Sequence, residues 1–91
     1  KKLAQTKKYD GMIALGSVIR GATAHFEHVA GFATYATAQI GLEFGLPIMN
    51  GILTVENIEQ AIERAGTKAG NKGFECALGL VEMMQVCDQI K

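Results

Sequence analysis

The sequence has one proline, no tryptophan, two cysteines and no excess of either charge. Nine basic and nine acidic side chains cancel. No field is therefore available to hold nucleic acid or an anionic membrane without specificity. The basic pairs Lys1-Lys2 and Lys7-Lys8 read as a solvated terminus. No apolar run is long enough to span a bilayer, and no signal peptide is visible. The chain opens on Lys1 rather than Met, as expected of a processed piece or a fragment. Cys76 and Cys87 lie eleven residues apart in a segment of helical period, roughly 16 Å along a helix axis. A disulfide requires Cα atoms within about 7 Å. Both are read as buried thiols of a reducing, cytoplasmic compartment. The glycine patterns G-x-x-x-x-G-K-[ST] and G-x-G-x-x-G are absent, which argues against a nucleotide triphosphatase or a dinucleotide site.

What is present is a globular composition, with 48% apolar and 20% charged residues in a chain of 91. That length makes one small domain, which buries roughly 60–65% of its unfolded surface. Residues 9–19 (YDGMIALGSVI) form a nearly continuous apolar run, the pattern of a parallel strand covered on both faces. Gly16 predicts a bend or a close backbone approach. Residues 1–8 read as the tail of a helix or a polar lead-in, and 20–25 as a loop. From Phe26 to residue 44 the positions 26, 29, 30, 33, 36, 37, 40 and 44, apolar apart from Thr37, make a helical stripe. Gly45 supplies a left-handed cap, followed by Pro47. Residues 47–53 (PIMNGIL) predict a second strand. Thr54 is the expected N-cap of a helix ending at Gly66, with Glu56 and Glu59 near its positive end. A last helix, residues 73–90, is apolar on two faces and is expected to pack on its own sheet and on another subunit. Two strands do not make a stable sheet alone, so further strands are expected.

The candidate chemistry lies after the first strand, at the end where open parallel sheets bind ligands. Gly21, Ala22 and Thr23 are small, so backbone N–H groups can approach an anion. The following helix adds its positive end. His25 beside this loop can move protons near neutral pH. The competing reading is a cap or surface histidine. His25 and His28 share a helical face, but no third ligand has suitable spacing, so no metal site is assigned. Arg64 reads either as compensation of a helix C-terminus or as a phosphate clamp. Lys68 and Lys72 flank a loop containing Gly66, Gly70 and Gly73. Met49, Met83 and Met84 are read as core or interface fillers.

The segments ALGSVIRGATAHFEHVA and GILTVENIEQAIERAGTKAGNKGFECAL closely resemble the two signature regions of the 6,7-dimethyl-8-ribityllumazine synthase family. The resemblance runs from about Tyr9 to Ile90, and its longest ungapped stretch is IEQAIERAGTKAGNKG. It implies an α/β fold, a three-layer α/β/α sandwich with a parallel sheet of flavodoxin-like type. It implies a transferase of riboflavin biosynthesis that condenses 5-amino-6-ribitylaminouracil with 3,4-dihydroxy-2-butanone 4-phosphate and uses no metal or organic cofactor. Carried over by motif, Ala22 and Thr23 hold the phosphate together with Arg64, and His25 is the proton donor and acceptor. Ser17, Val18, Ile19, Asn50 and Lys72 belong to the uracil side. The partners implied are small-molecule substrates and further copies of the chain, as a pentamer or a shell of twelve pentamers, with active sites shared between subunits.

Relative to the family pattern, residues 1–91 correspond to one domain's C-terminal portion, without the N-terminal strands. Asn50 stands where many members carry Phe, and His28 where Tyr is usual. An alternative expectation is a structural or assembly module. In that reading the unpaired edge of the first strand drives association, without a complete site. A general phosphate-binding flavodoxin-like module has only the loop in its favour.

Overall fold

The computed structural model describes residues 1–67 and 70–90. Its elements in order are α1 (Lys2–Gln5), β1 (Met12–Ile19), α2 (His25–Phe44), β2 (Ile48–Val55), α3 (Ile58–Arg64) and α4 (Lys72–Gln89). The two strands pair in parallel from Met12↔Ile48 to Ile19↔Val55, joined by the crossover helix α2. The ladder starts where Met12 N–H donates to the Pro47 carbonyl at 3.0 Å, and it ends where Arg20 N–H donates to the Val55 carbonyl at 2.9 Å. Even-numbered residues of β1 therefore direct their backbone groups toward β2. On β2 the odd-numbered residues point back and Ile48, Asn50, Ile52 and Thr54 point outward. One of those outward groups, the Ile52 N–H, is taken by the Asn50 side-chain oxygen at 2.9 Å.

Side chains alternate across the sheet, and the glycines show what covers each face. A Cβ on Gly41 of α2 would contact the Ile48 side chain, whereas a Cβ on Gly79 of α4 would lie 2.7 Å from Met49 Cε. Gly51 faces the same way as Met49, beneath Leu15 and the Cys76 sulfur. Helix α2 thus covers one face and α4 the other. The fold is α/β, flavodoxin-like in class, with a parallel sheet between helical layers.

Several boundaries differ from the sequence-based expectation. Tyr9 and Asp10 lie outside β1, because pairing begins only where Pro47, which has no N–H, offers its carbonyl. Gly16 does not interrupt β1 and pairs regularly with Ile52. Thr54 is not a cap. It lies within β2 opposite Val18, a position suited to a β-branched residue. The cap is Asn57, whose side chain accepts the Gln60 N–H at 2.8 Å, while the Gln60 side chain accepts the Glu56 N–H. Asn71 caps α4 in the same way through the Phe74 N–H at 3.0 Å. Helix α3 closes at Arg64, before Gly66. Gly45 adopts the left-handed cap expected of it, with φ of 59°. Cys76 is buried, but Cys87 is exposed. Cys87 lines the open recesses around Leu46 and Pro47.

The core is thin. Ala4, Val55, Ala61 and Cys76 are its buried apolar residues, and no large side chain is fully buried among the described residues. The surface is 6535 Å², against roughly 5,100 Å² for a compact monomer of this mass. The radius of gyration is 14.5 Å, against roughly 12 Å for a compact domain of this length. Much of the excess is apolar. Phe32, Tyr35 and Leu42 stand out from α2, Phe74, Leu78 and Val81 from α4, and Leu15 is 68% exposed on β1. Helix α4 therefore seats one apolar face on the sheet and leaves the other open, which is the two-faced pattern of its sequence. Among the described residues no helix is long and apolar enough to cross a membrane.

Candidate functional site

Two recesses lie at the carboxyl end of the sheet, and between them they are lined by all of the expected site residues except Ala22 and Asn50. The first, of ≈ 270 Å³, is lined by Ser17, Val18, Ile19, Gly21, Thr23, His25, Phe26 and Val29. The last residues of β1 form one side and the first turn of α2 the other. The loop between them is short because Arg20 is still held in the ladder and α2 begins at His25. Residue Ala24, the N-cap of α2, has no side chain to accept a helix N–H. The Thr23 hydroxyl oxygen accepts the His25 N–H instead, at 3.4 Å. Among the described residues the N–H groups of Gly21, Ala22, Thr23 and Ala24 donate to no protein atom. They stand at the positive end of a twenty-residue helix, an arrangement suited to an anion.

Arg20 closes the base of this loop. Its Nε donates to Glu56 Oε2 at 2.5 Å and its Nη1 to Glu27 Oε1 at 3.4 Å, and its guanidinium carbon lies 4.5 Å from the Phe26 ring centroid. The Glu56 hydrogen bond, opposed by desolvation and aided by the charges of Glu56 and Glu27, raises the guanidinium above its ordinary proton affinity. The contribution of a raised base is present at all lower pH and is lost only as pH climbs through the raised value. Arg20 therefore stays charged throughout the working range.

The second recess, of ≈ 340 Å³, is lined by Ile52, Leu53, Thr54, Arg64, Lys72 and Glu75. An isolated antiparallel bridge, Ala65↔Asn71, closes the connection between α3 and α4. Arg64 and Lys72 lie one residue outside that bridge on either side, so the closure brings both cations to one opening. Gly66 and Gly70 make this loop possible, with φ of 144° and 117°, values that side chains rarely adopt. Arg64 Nη1 also donates to the Gln60 carbonyl at 3.2 Å, so it satisfies a helix C-terminus while facing the recess. Glu75 was not picked out from the sequence. Its one signal is its place one turn after Asn71, in the first turn of α4.

Ala22 is exposed and lines neither recess, and Asn50, also exposed, turns its side chain onto Ile52 N–H. His28 lines neither recess. Lys68 lies outside the described residues. Two larger recesses, of ≈ 440 and ≈ 460 Å³, surround Leu46 and Pro47 at the opposite end of the strands. The first is almost wholly apolar, and neither has an arginine, lysine or histidine in its lining. Arg64, Lys72 and His25, the basic groups expected to orient a phosphorylated substrate, line the recesses at the carboxyl end.

The sequence model described as 6,7-dimethyl-8-ribityllumazine synthase matches residues 1–88. That span covers nearly the whole chain, and the protein belongs to this family, whose enzymes act in riboflavin biosynthesis.

Proposed function

We propose that this chain forms part of an active 6,7-dimethyl-8-ribityllumazine synthase. It would condense 5-amino-6-ribitylaminouracil with 3,4-dihydroxy-2-butanone 4-phosphate. The observation that carries this reading is the convergence of Ser17, Val18, Ile19, Thr23 and His25 on one recess with free N–H donors, within a family match over residues 1–88. The amine of the uracil attacks the ketone, and loss of water gives an imine. Phosphate departs from the neighbouring chain of the imine, and ring closure with loss of a second water gives the lumazine. His25 supplies and removes protons in these steps. Thr23 and the Ala22 backbone hold the phosphate, Arg64 neutralises it, and Ser17, Val18, Ile19, Asn50 and Lys72 border the uracil. Positioning two reactants together lowers such a barrier by roughly 7–11 kcal/mol in favourable cases. No strong nucleophile is needed.

His25 and Arg64 line different recesses, and the family's sites are shared between subunits. The working site is therefore assigned to the first recess of one chain and the second recess of its neighbour, in a pentamer or a shell of pentamers. The surplus apolar surface of α2 and α4 supports such packing. The two unbridged thiols support a reducing, cytoplasmic setting.

Co-assembly tests the shared site. At ketone phosphate concentrations below the KM of the parent, His25→Ala and Arg64→Ala chains are each strongly impaired by themselves, and a random equal mixture restores about a quarter of the sites, because each junction of a cyclic assembly draws one recess from each neighbour. Lumazine fluorescence from the mixture is the readout. A mixture as inactive as its components would place both residues in one chain's site. The surplus apolar surface also favours a second reading, a chain that assembles without catalysis. Saturable binding of inorganic phosphate by the assembly, lost in Arg64→Ala, would argue against it.

A further inference from the structure

We propose that Arg20 is a positioning residue that fixes the turn carrying His25, by tying that turn to the end of β2. The proposal rests on the reading of His25 given above, and it concerns a side chain outside both recess linings.

The need for such a tie is visible at the start of α2. The N-cap Ala24 has no side-chain acceptor, and at this start the loop 21–24 is held by the long Thr23–His25 hydrogen bond and by the Ala24 carbonyl, which accepts the Glu27 N–H at 3.0 Å. A helix start of this kind frays readily. Arg20 has the opposite character. Its backbone is the last rung of the ladder, so its side chain starts from a rigid point. One planar group then makes three contacts at once, to Glu56 just past β2, to Glu27 and to the face of Phe26. Phe26 and Glu27 directly follow His25, and Phe26 itself lines the first recess. Glu56 is in turn anchored, because its N–H donates to the Gln60 side chain at 2.8 Å.

The fork geometry matters more than the charge. A lysine ammonium is a point donor and cannot hold Glu56 and Glu27 while lying flat on a ring. The charges of Glu27 and Glu56 also leave Arg20 no surplus positive charge to offer an anion. It therefore acts on the reaction through the turn and not by touching substrate. A loosened turn misplaces the imidazole relative to the reacting atoms, and misplacement of about 1 Å can cost on the order of a hundredfold in rate.

The test compares Arg20→Met, Arg20→Lys, Glu56→Gln and His25→Ala in the intact, assembled protein. Lys1→Met is the control, since it removes a surface ion pair to Glu43 far from the site. kcat, KM for each substrate and the thermal midpoint are measured for all five. Arg20→Met is expected to lower kcat by about tenfold to a hundredfold with KM changed far less, and Arg20→Lys to fail to rescue it. Lys1→Met is expected to behave as the parent. Native kcat in Arg20→Met, or full rescue by lysine, overturns the proposal. Should Arg20→Met not assemble, Glu56→Gln carries the test, because glutamine keeps an acceptor but loses the charge. It is expected to lower kcat by a smaller factor, and an unchanged kcat overturns the proposal. A His25→Ala variant that retains full activity would refute the assignment of His25 instead, so the two failures are distinct.

Discussion

The two recesses at the carboxyl end of the sheet are held together by different kinds of contact. The recess at His25 depends on a partner distant in sequence, since Arg20 reaches Glu56 across 36 residues while the helix start beside it has no cap of its own. The recess at Arg64 is closed by neighbours. Asn57 and Asn71 cap the two helices, the Thr67 hydroxyl donates to the Ile62 carbonyl, and Ala65 bridges Asn71. The turn expected to move protons is thus positioned by the assembled sheet, and the arginine expected to hold phosphate is positioned by its own loop. The first recess should be sensitive to changes elsewhere in the chain and the second largely indifferent to them.

The largest effect expected to separate the two regions is that of His25→Ala, which should lower kcat by about 10²–10⁴-fold and leave the thermal midpoint near that of the parent. Arg64→Ala should act mainly on KM for the phosphorylated ketone, by roughly 10- to 100-fold, the loss expected of one hydrogen bond to a charged group. An exchange of these two patterns would break the division of labour between the recesses. Gly70→Ala should cost roughly 1–3 kcal/mol, because alanine must adopt a sparsely populated backbone conformation. Its kinetic effect should resemble a weak Arg64→Ala. Asn71→Ala should cost about 1 kcal/mol through the lost cap, read by thermal or denaturant unfolding. The smallest effect is chemical. Alkylation of the native protein should label Cys87 and spare Cys76 with activity retained, and labelling of both at equal rates would contradict the burial difference.

The sequence made the strand–helix–strand unit legible because its signals are local. The half-buried residues of α2 follow the stripe expected from residue 26 to 44, and Gly45 and Pro47 marked the break. The two groups of candidate residues that line the recesses drew on local signals as well, the small residues before His25 and the basic residues around the glycine loop. The exact cap was not legible, because Thr54 and Asn57 are both good caps in isolation. The choice depends on how far β1 extends, which keeps Thr54 in the ladder opposite Val18. The exposure of Cys87 was hidden for a related reason, since helical periodicity shows which residues share a face but not what covers that face. The segment beginning at Arg20 is legible as a site loop, but the role of Arg20 itself is not, because it depends on Glu56 and no spacing rule connects positions so far apart. Glu75 was missed because an acid in the first turn of a helix has an ordinary explanation in the dipole.

The small hydrogen bond from Ile52 N–H to Asn50 has a consequence for how this chain can join others. Of the four residues whose backbone groups point outward from β2, one in the middle already has its N–H engaged by the chain itself. An incoming strand would meet a broken row there and a complete row along the outer side of β1. Strand addition is therefore directional. Endless stacking into a fibre needs two receptive margins, and this sheet offers one good margin and one spoiled one. A neighbouring strand should pair more readily beside β1 than beside β2. Asn50 thus acts as a guard on the margin of the sheet.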